Sequence, residues 1–341
     1  MAYTTVNKST DYFNTKLYTG NNSTNAQTGV GFQPDFIWFK RRDSGAQHSL
    51  FDSARGVTKA VSSNLSDAQY TVSDALTSFD SDGFTLGADS NNYINLNSAT
   101  YASWSWKAGT TSGISAGSQT ITPSAYSINA TAGMGIYKWS RTGASTTDYF
   151  SHGLGATPTI AIQKRTDAVQ DWYVNTTIID GTNDNLHLNK SDAKEDDSTT
   201  VSTSTNYYPK SPETGDYITY LFAPIKGFSK FGSYTGNGNT DGSFVYTGFK
   251  PAWLLLKRSD SADSWFMYDN KRSSFNVVED YLTASGSGAE ATTSAVNLDL
   301  LSNGFKIRNT DGGHNNSSGT YIYMAFGQSL VGSNNIPATA R

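Results

Sequence analysis

Apolar positions along this chain gather in short runs, and each run is soon broken by Gly, Asn, Asp or Ser, as in "PDFIWFKRRD", "TYASWSW" and "PAWLLLKRSD". Aromatic and β-branched runs between turn formers predict strands, and stretches with a 3.6-residue apolar period are hard to find. The expected fold class is all-β.

One run is written three times. Pro34 opens "PDFIWFKRRD", Pro158 opens "PTIAIQKRTD" and Pro251 opens "PAWLLLKRSD". A catalytic set is needed once per site, so triplication points first to architecture. The first and third copies align without a gap as far as "FDSAR" and "YDNKR", "YTGN" precedes both, and "SDGFTLG" is answered by "SNGFKIR". Each copy closes on an aromatic strand, "TYASWSW", "DYITYLF" or "TYIYMAF", which places Trp106, Phe222 and Phe326 at matching offsets. These three are expected in one core layer. The second copy diverges, with "KWSRTG" in place of the Tyr-Thr-Gly turn. The reading is three tandem antiparallel β-sandwich repeats of jelly-roll or lectin-like type: residues 1–110, a Ser/Thr/Gly linker at 111–124, a divergent repeat at 125–227, and a third at 228–341 with a C-terminal tail. The linker is expected to be flexible or loosely packed. The second and third repeats, which have none between them, should form a rigid pair.

Within the repeated run each residue type has a structural reading. Pro34, Pro158 and Pro251 have no N–H to give a ladder and mark strand starts. Phe36 and Trp38, with their counterparts Ile160, Ile162, Trp253 and Leu255, face the core, while Ala161 and Gln163 show that the other face tolerates polarity in at least one repeat. Lys40, Lys164 and Lys257 share the core parity but sit at the strand end, where a long side chain can reach water. Arg41, Arg165 and Arg258 take the opposite face. Asp43, Asp167 and Asp260 follow two residues later and are expected to form a local ion pair with them. The functional alternative is an anion or glycan-carboxylate site built from the Lys and Arg.

Composition narrows the function classes. The chain has 341 residues, no cysteine and a formal net charge of -4, with charged residues at 16%. Disulfides and thiolate metal sites are excluded, and no broad basic surface exists for nucleic acid or anionic lipid. The start "MAYTTVNKSTDYFNTK" lacks a signal-peptide pattern and no apolar run reaches membrane-spanning length, so a soluble, unexported protein with no membrane insertion is expected.

Other candidate chemistry is sparse. "GISAG" at 113–117 matches a nucleophile-elbow pattern but lies in the linker with no helix after it. His48, His152, His187 and His314 show no ligand spacing and are read as surface or turn residues. "DAKEDD" from Asp192 to Asp197 could collect a cation but reads as a solvated loop, and "DGGHNN" at Asp311 as a turn. Exposed Tyr and Trp between polar loops could stack on sugars, although most aromatics lie at strand positions that a core would take. No catalytic, cofactor-binding or metal residue is singled out.

The segments "VGFQPDFIWFK", "HSLFDSARG", "LTSFDSDGFTLG", "YASWSWKAG" and "TYIYMAFGQSLVGSNNIPATAR" resemble a repeat family of virion-associated proteins of marine tailed bacteriophages, over nearly the whole chain. The resemblance implies β-sandwich folds and a place in the virion rather than an activity. The leading expectation is a structural virion protein, decorating the head or attached to the tail, that contacts other virion proteins and copies of itself. A receptor- or glycan-binding protein of a fibre or appendage is the alternative, with a host surface glycan as partner. A polysaccharide-degrading enzyme ranks last, because no carboxylate pair is singled out. The divergent second repeat is expected to carry a distinct interface, at the loop near Asp192 or the segment "TTVSTSTNYYPKSPETG".

Overall fold

The computed structural model describes residues 4–114, 119–143, 147–210 and 213–329. The protein is all-β, built from antiparallel sheets with only short helical turns between them.

One pairing scheme recurs along the chain. Phe36–Arg41 lies between Thr100–Trp106 and Ser49–Asp52, Ile160–Arg165 between Gly215–Phe222 and Tyr173–Thr176, and Phe249–Arg258 between Thr320–Ser329 and Trp265–Asp269. A further strand, Phe13–Thr19, Met134–Arg141 or Ser229–Thr235, pairs with the far side of each closing strand. Register is held as well: Phe36 faces Trp106, Ile160 faces Phe222 and Trp253 faces Phe326 across the ladder. Each of these segments with its neighbours is called a unit below.

The central strands are buried on both faces, and the period-2 alternation divides their side chains between two cores. Phe36, Trp38, Trp104 and Trp106 point one way, as do Ile160, Ile162, Tyr220 and Phe222 in the second unit and Trp253, Leu255, Met324 and Phe326 in the third. All twelve belong to one continuous cluster. The rings of Trp106 and Phe326 are 5.8 Å apart, those of Phe222 and Phe326 5.9 Å, and those of Phe36 and Tyr220 4.3 Å. The opposite faces are covered unit by unit. Ile37, Phe39, Phe51 and Tyr101 pack under a sheet of Asn25–Thr28, Leu76–Asp80 and Gly83–Leu86. Leu254, Leu256, Tyr268 and Tyr321 pack under Phe244–Tyr246, Leu298–Leu301 and Gly304–Ile307. In the second unit the covering strands among the described residues are the pair Phe150–Ser151 and Asn206–Tyr207.

Pro34 and Pro158 precede their strands by two residues, but Pro251 stands inside Phe249–Arg258. A bulge between Pro251 and Trp253 makes this possible, since the ladder is already interrupted where the proline has no N–H to offer. Gly327 lies opposite Pro251, and a Cβ there would come within 1.9 Å of the Lys250 carbonyl oxygen, so the bulge requires glycine.

Contacts between units repeat cyclically. Ala46 N donates to Ser287 O and Glu290 N to Arg42 O between units one and three. Gln170 N donates to Ser66 O and Gln69 N to Thr166 O between two and one. Asp263 N donates to Ser191 O and Lys194 N to Ser259 O between three and two. Backbone hydrogen bonds thus join all three units and not the last two alone, closing a ring with approximate three-fold repetition. The residues flanking the first connection are tied down: Thr110 bridges to Ile128, and Asp35 accepts from Ala108 N at 2.9 Å and from Ser127 Oγ at 2.9 Å.

Candidate functional site

The thrice-written motif lies at the ring's junctions. Lys40, Lys164 and Lys257 do not reach water, as the strand-end position suggested; each is at most 1% exposed. The ammonium turns inward and donates to carbonyls. Lys40 Nζ reaches Ser287 O at 3.2 Å, Lys164 Nζ reaches Ser66 O at 3.1 Å and Lys257 Nζ reaches Ser191 O at 3.2 Å, always in the adjacent unit. Each also bonds the carbonyl of the following arginine. Burial brings all three amines down to about 8. Arg41, Arg165 and Arg258 point to the rim, where their Nε atoms meet Asp43, Asp167 and Asp260 at 2.7, 2.8 and 2.8 Å. Lysine and arginine therefore point to opposite faces and do not converge on one anion.

Junction residues outside the motif complete the staple. His48 Nε2 donates to Thr283 O at 3.0 Å while its Nδ1 accepts from Trp38 Nε1 at 2.8 Å. At the corresponding positions, Trp172 Nε1 donates to Ser62 O and Trp265 Nε1 to His187 O, both at 2.9 Å. Burial, followed by the nearby Lys40 charge, lowers His48 to about 3. His152 and His314 are fully buried too, so the surface reading fails for three of the four histidines. In a strand-rich chain with few charges, imidazole serves as a compact buried donor and acceptor.

Two junctions bury an ion pair. Asp52 binds Arg55 Nε at 2.6 Å and accepts from Tyr220 of the second unit at 2.8 Å. Asp269 binds Arg272 Nε at 2.5 Å and accepts from Trp104 of the first unit at 3.1 Å. At the third junction the equivalent residues are Thr176, Ile179 and Met324, so the acid, the base and the donor are replaced together. The shared "FDSAR" and "YDNKR" segments carried this signal, since "TTII" stands in their place in the second unit.

The "DAKEDD" segment is not a free solvated loop. Glu195–Asp196 is an edge strand paired with Asp184 and Asn185. Lys194 Nζ contacts Asp180 at 2.8 Å, Asp184 at 2.6 Å and Asp196 at 2.8 Å, holding the place a cation would take. Those carboxylates hold the Lys194 amine well above its ordinary value. "DGGHNN" forms a helical turn over Gly312–Asn315, capped by Asp311 through Gly313 N at 2.8 Å. Ser115, the serine of "GISAG", lies outside the described residues.

What sets the second unit apart is its outer face. Ile37, Phe39 and Phe51 of the first unit, and Leu254, Leu256 and Tyr268 of the third, correspond to Ala161, Gln163 and Asn175. Gln163 is held by Lys210 O at 2.8 Å and by Tyr207 Oη at 3.2 Å. Asn175 Nδ2 donates to Asp197 at 2.8 Å, and Asp197 is matched by Lys210 at 3.0 Å. Beside them lies a small polar recess of about 20 Å³, lined by Thr159, Asn175, Asn183, Ser202, Tyr207 and Tyr208 among others. Of the residues and segments singled out from sequence, Pro158, Ala161 and, from the segment "TTVSTSTNYYPKSPETG", Ser202, Tyr207 and Tyr208 line it. The small Ala161 and polar Gln163 were visible, but the recess depends on the reduced covering sheet, which the repeat alignment could not supply.

The molecule is thus an all-β protein whose repeated motif serves its own ring closure and whose divergent unit carries a small polar recess. Residues 8–329 match the family described as a domain of unknown function (DUF7483), and the chain belongs to that family. The match takes in all three units as one stretch, in agreement with their common core. No curated protein and no solved structure matches the chain.

Proposed function

We propose that the chain is a structural protein of a tailed-phage particle, on head or tail, that acts through contacts with other particle proteins and with copies of itself rather than as an enzyme. The observation that carries this reading is the cyclic placement of Lys40, Lys164 and Lys257 against carbonyls of the adjacent unit, which spends the most repeated chemistry of the chain on making one rigid block. A rigid block with three locked units presents fixed faces, as assembly requires. Exposed apolar side chains on the third unit, Phe244, Tyr246 and Phe275, supply contact area of the kind that partners cover. Phe244 and Tyr246 lie on an edge strand, where a partner could also pair. The particle location rests on the sequence resemblance given above. Mass spectrometry of density-purified particles, with immunogold labelling of intact ones, tests it. The expected result is the protein in several copies at one site on the particle. Recovery only from the soluble fraction of infected cells overturns the reading.

A further inference from the structure

The small covering sheet of the third unit carries large apolar side chains on its solvent face as well as on its core face. Val245, Phe305 and Leu300 form one row across its three strands and are buried beneath it. The rows on either side alternate with this one and face outward. One is Tyr246, Gly304 and Leu301, the other Phe244, Lys306 and Asp299. A fourth column flanks Leu298–Leu301, because the Asn276 amide donates to Leu300 O at 3.0 Å and accepts from Leu300 N at 2.9 Å, which sets Phe275 and Val277 beside that strand. Phe244, Tyr246 and Phe275 are 47, 51 and 78% exposed. With ~200 Å² for a whole aromatic side chain, these exposures leave roughly 350 Å² of ring surface in water, a patch large enough to be a contact site.

The fold does not require such a face. In the first unit the matching rows are Thr28, Gly83 and Asp80, and Ala26, Thr85 and Ser78. These residues are small or polar and satisfy one another, with Asp80 accepting from Ser78 Oγ at 2.7 Å and from Thr85 Oγ1 at 2.6 Å. The pairing is the same in both sheets, so the aromatic surface of the third unit is an addition to it. Its charges indicate what covers it. A two-fold axis parallel to the strands, running between Gly304–Ile307 and Leu298–Leu301, reverses the order of the columns. Lys306 of one copy then lies over Asp299 of the other, and the reciprocal contact repeats it. The same operation sets Leu301 over Gly304 and the Tyr246 column against the column of Phe275 and Val277. A second copy of this chain therefore meets the face with opposite charges in register.

We propose that the protein forms a two-fold dimer by packing this sheet against the same sheet of a second copy, with Lys306 and Asp299 paired across the axis. The inference rests on the reading of the chain as one that acts through protein contacts, and it names the occupant of one face. The ring surface is less than the ~800 Å² per partner of a standard interface, so charged rim residues such as Asp241 and Arg308 complete the contact and the dimer is reversible, in the micromolar range.

Sedimentation velocity on the full chain at rising micromolar concentration tests it. A monomer–dimer equilibrium is expected. Phe244→Ala combined with Tyr246→Thr, which installs the residues that the first unit carries at those positions, should raise the dissociation constant tenfold or more, as should Phe275→Ser. Lys306→Glu alone and Asp299→Lys alone should each weaken the dimer to the same degree. An equimolar mixture of these two variants should regain it, because each Lys306→Glu copy then meets an Asp299→Lys copy with opposite charge at both contacts. Circular dichroism identifies any variant that fails to fold, and the Phe244→Ala, Tyr246→Thr pair, already compatible with the same sheet in the first unit, keeps the test decisive in that case. A monomer at every concentration overturns the proposal, as does a dimer unchanged by the aromatic substitutions, or a mixture of the charge variants that associates no better than either alone. Particle location is read separately, on purified particles. A monomer found there overturns the dimer and leaves the particle reading standing, with another particle protein covering this face, whereas a dimer absent from particles does the reverse.

Discussion

Replacing Asp52 by threonine removes the centre of a buried junction. Its carboxylate accepts from Arg55 Nε at 2.6 Å, from Arg55 N at 2.9 Å and from Tyr220 Oη at 2.8 Å, and neither charged side chain is more than 1% exposed. Arg55 keeps bonds from Nη2 to Leu50 O at 3.0 Å and to Tyr220 Oη at 3.2 Å, but no anion remains beside it. Leaving one member of a buried pair uncompensated costs about 3–5 kcal/mol. The third junction shows how the cost can be avoided, because Thr176, Ile179 and Met324 form an uncharged set there, with the Thr176 hydroxyl donating to Thr159 O at 2.7 Å. Asp52→Thr combined with Arg55→Ile and Tyr220→Phe installs the same logic and keeps the aromatic stack on Phe36, now at 4.3 Å. Well-packed apolar replacement of a buried ion pair is often neutral or stabilising, so the triple variant should lie within ~2 kcal/mol of the parent. Guanidinium unfolding followed by tryptophan fluorescence measures both. A single variant that loses less than about 1 kcal/mol, or a triple variant no more stable than the single one, would refute the reasoning that buried charge at this junction needs its partner.

Three further outcomes are expected. Trp106→Ala, in the aromatic layer where Trp106 is 2% exposed and touches Phe13, Phe36, Trp253 and Phe326, should cost about 3–5 kcal/mol by denaturant unfolding, and a loss under ~1 kcal/mol would place the ring outside the shared core. His48, at about 3 in the fold against 6.5 unfolded, takes up its proton only in the unfolded chain as pH falls, so stability drops between pH 6.5 and 3; the stability difference between the parent and His48→Asn should shrink across that window, and a constant difference would contradict the lowered value. Lys194→Ala leaves Asp180, Asp184 and Asp196 without their shared cation, so the melting temperature should fall and millimolar calcium should restore part of it, whereas a loss insensitive to calcium would mean the carboxylates simply separate.

Strand runs and the repeat were legible in the sequence because period-2 burial and turn formers act locally. "PDFIWFKRRD" carries its own alternation, and the match of Trp106, Phe222 and Phe326 survives without knowledge of the fold. What lay beyond reach was which core each face serves. Phe36 and Ile37 are equally apolar, yet one packs on the other two units and the other under its own small sheet, a choice made by ring closure between residues more than two hundred positions apart. The lysines were misjudged for the same reason: an amine at a strand end reaches water unless another unit's carbonyl, such as Ser287 O for Lys40, covers it first. The polar recess beside Asn175 was half legible. Small or polar residues at Ala161, Gln163 and Asn175 break the run of large apolar side chains, but whether such a face is solvated or buried depends on how much sheet covers it.

The claim that three units share one core and fold as one body is tested most directly by calorimetry of the full chain. Closure through the cluster around Trp106, Phe222, Trp253 and Phe326, with hydrogen bonds at every junction, predicts a single transition whose calorimetric and van't Hoff enthalpies agree. Two or three separable transitions, or one broad transition whose van't Hoff enthalpy falls well below the calorimetric value, would show units that stand alone and would contradict the shared core.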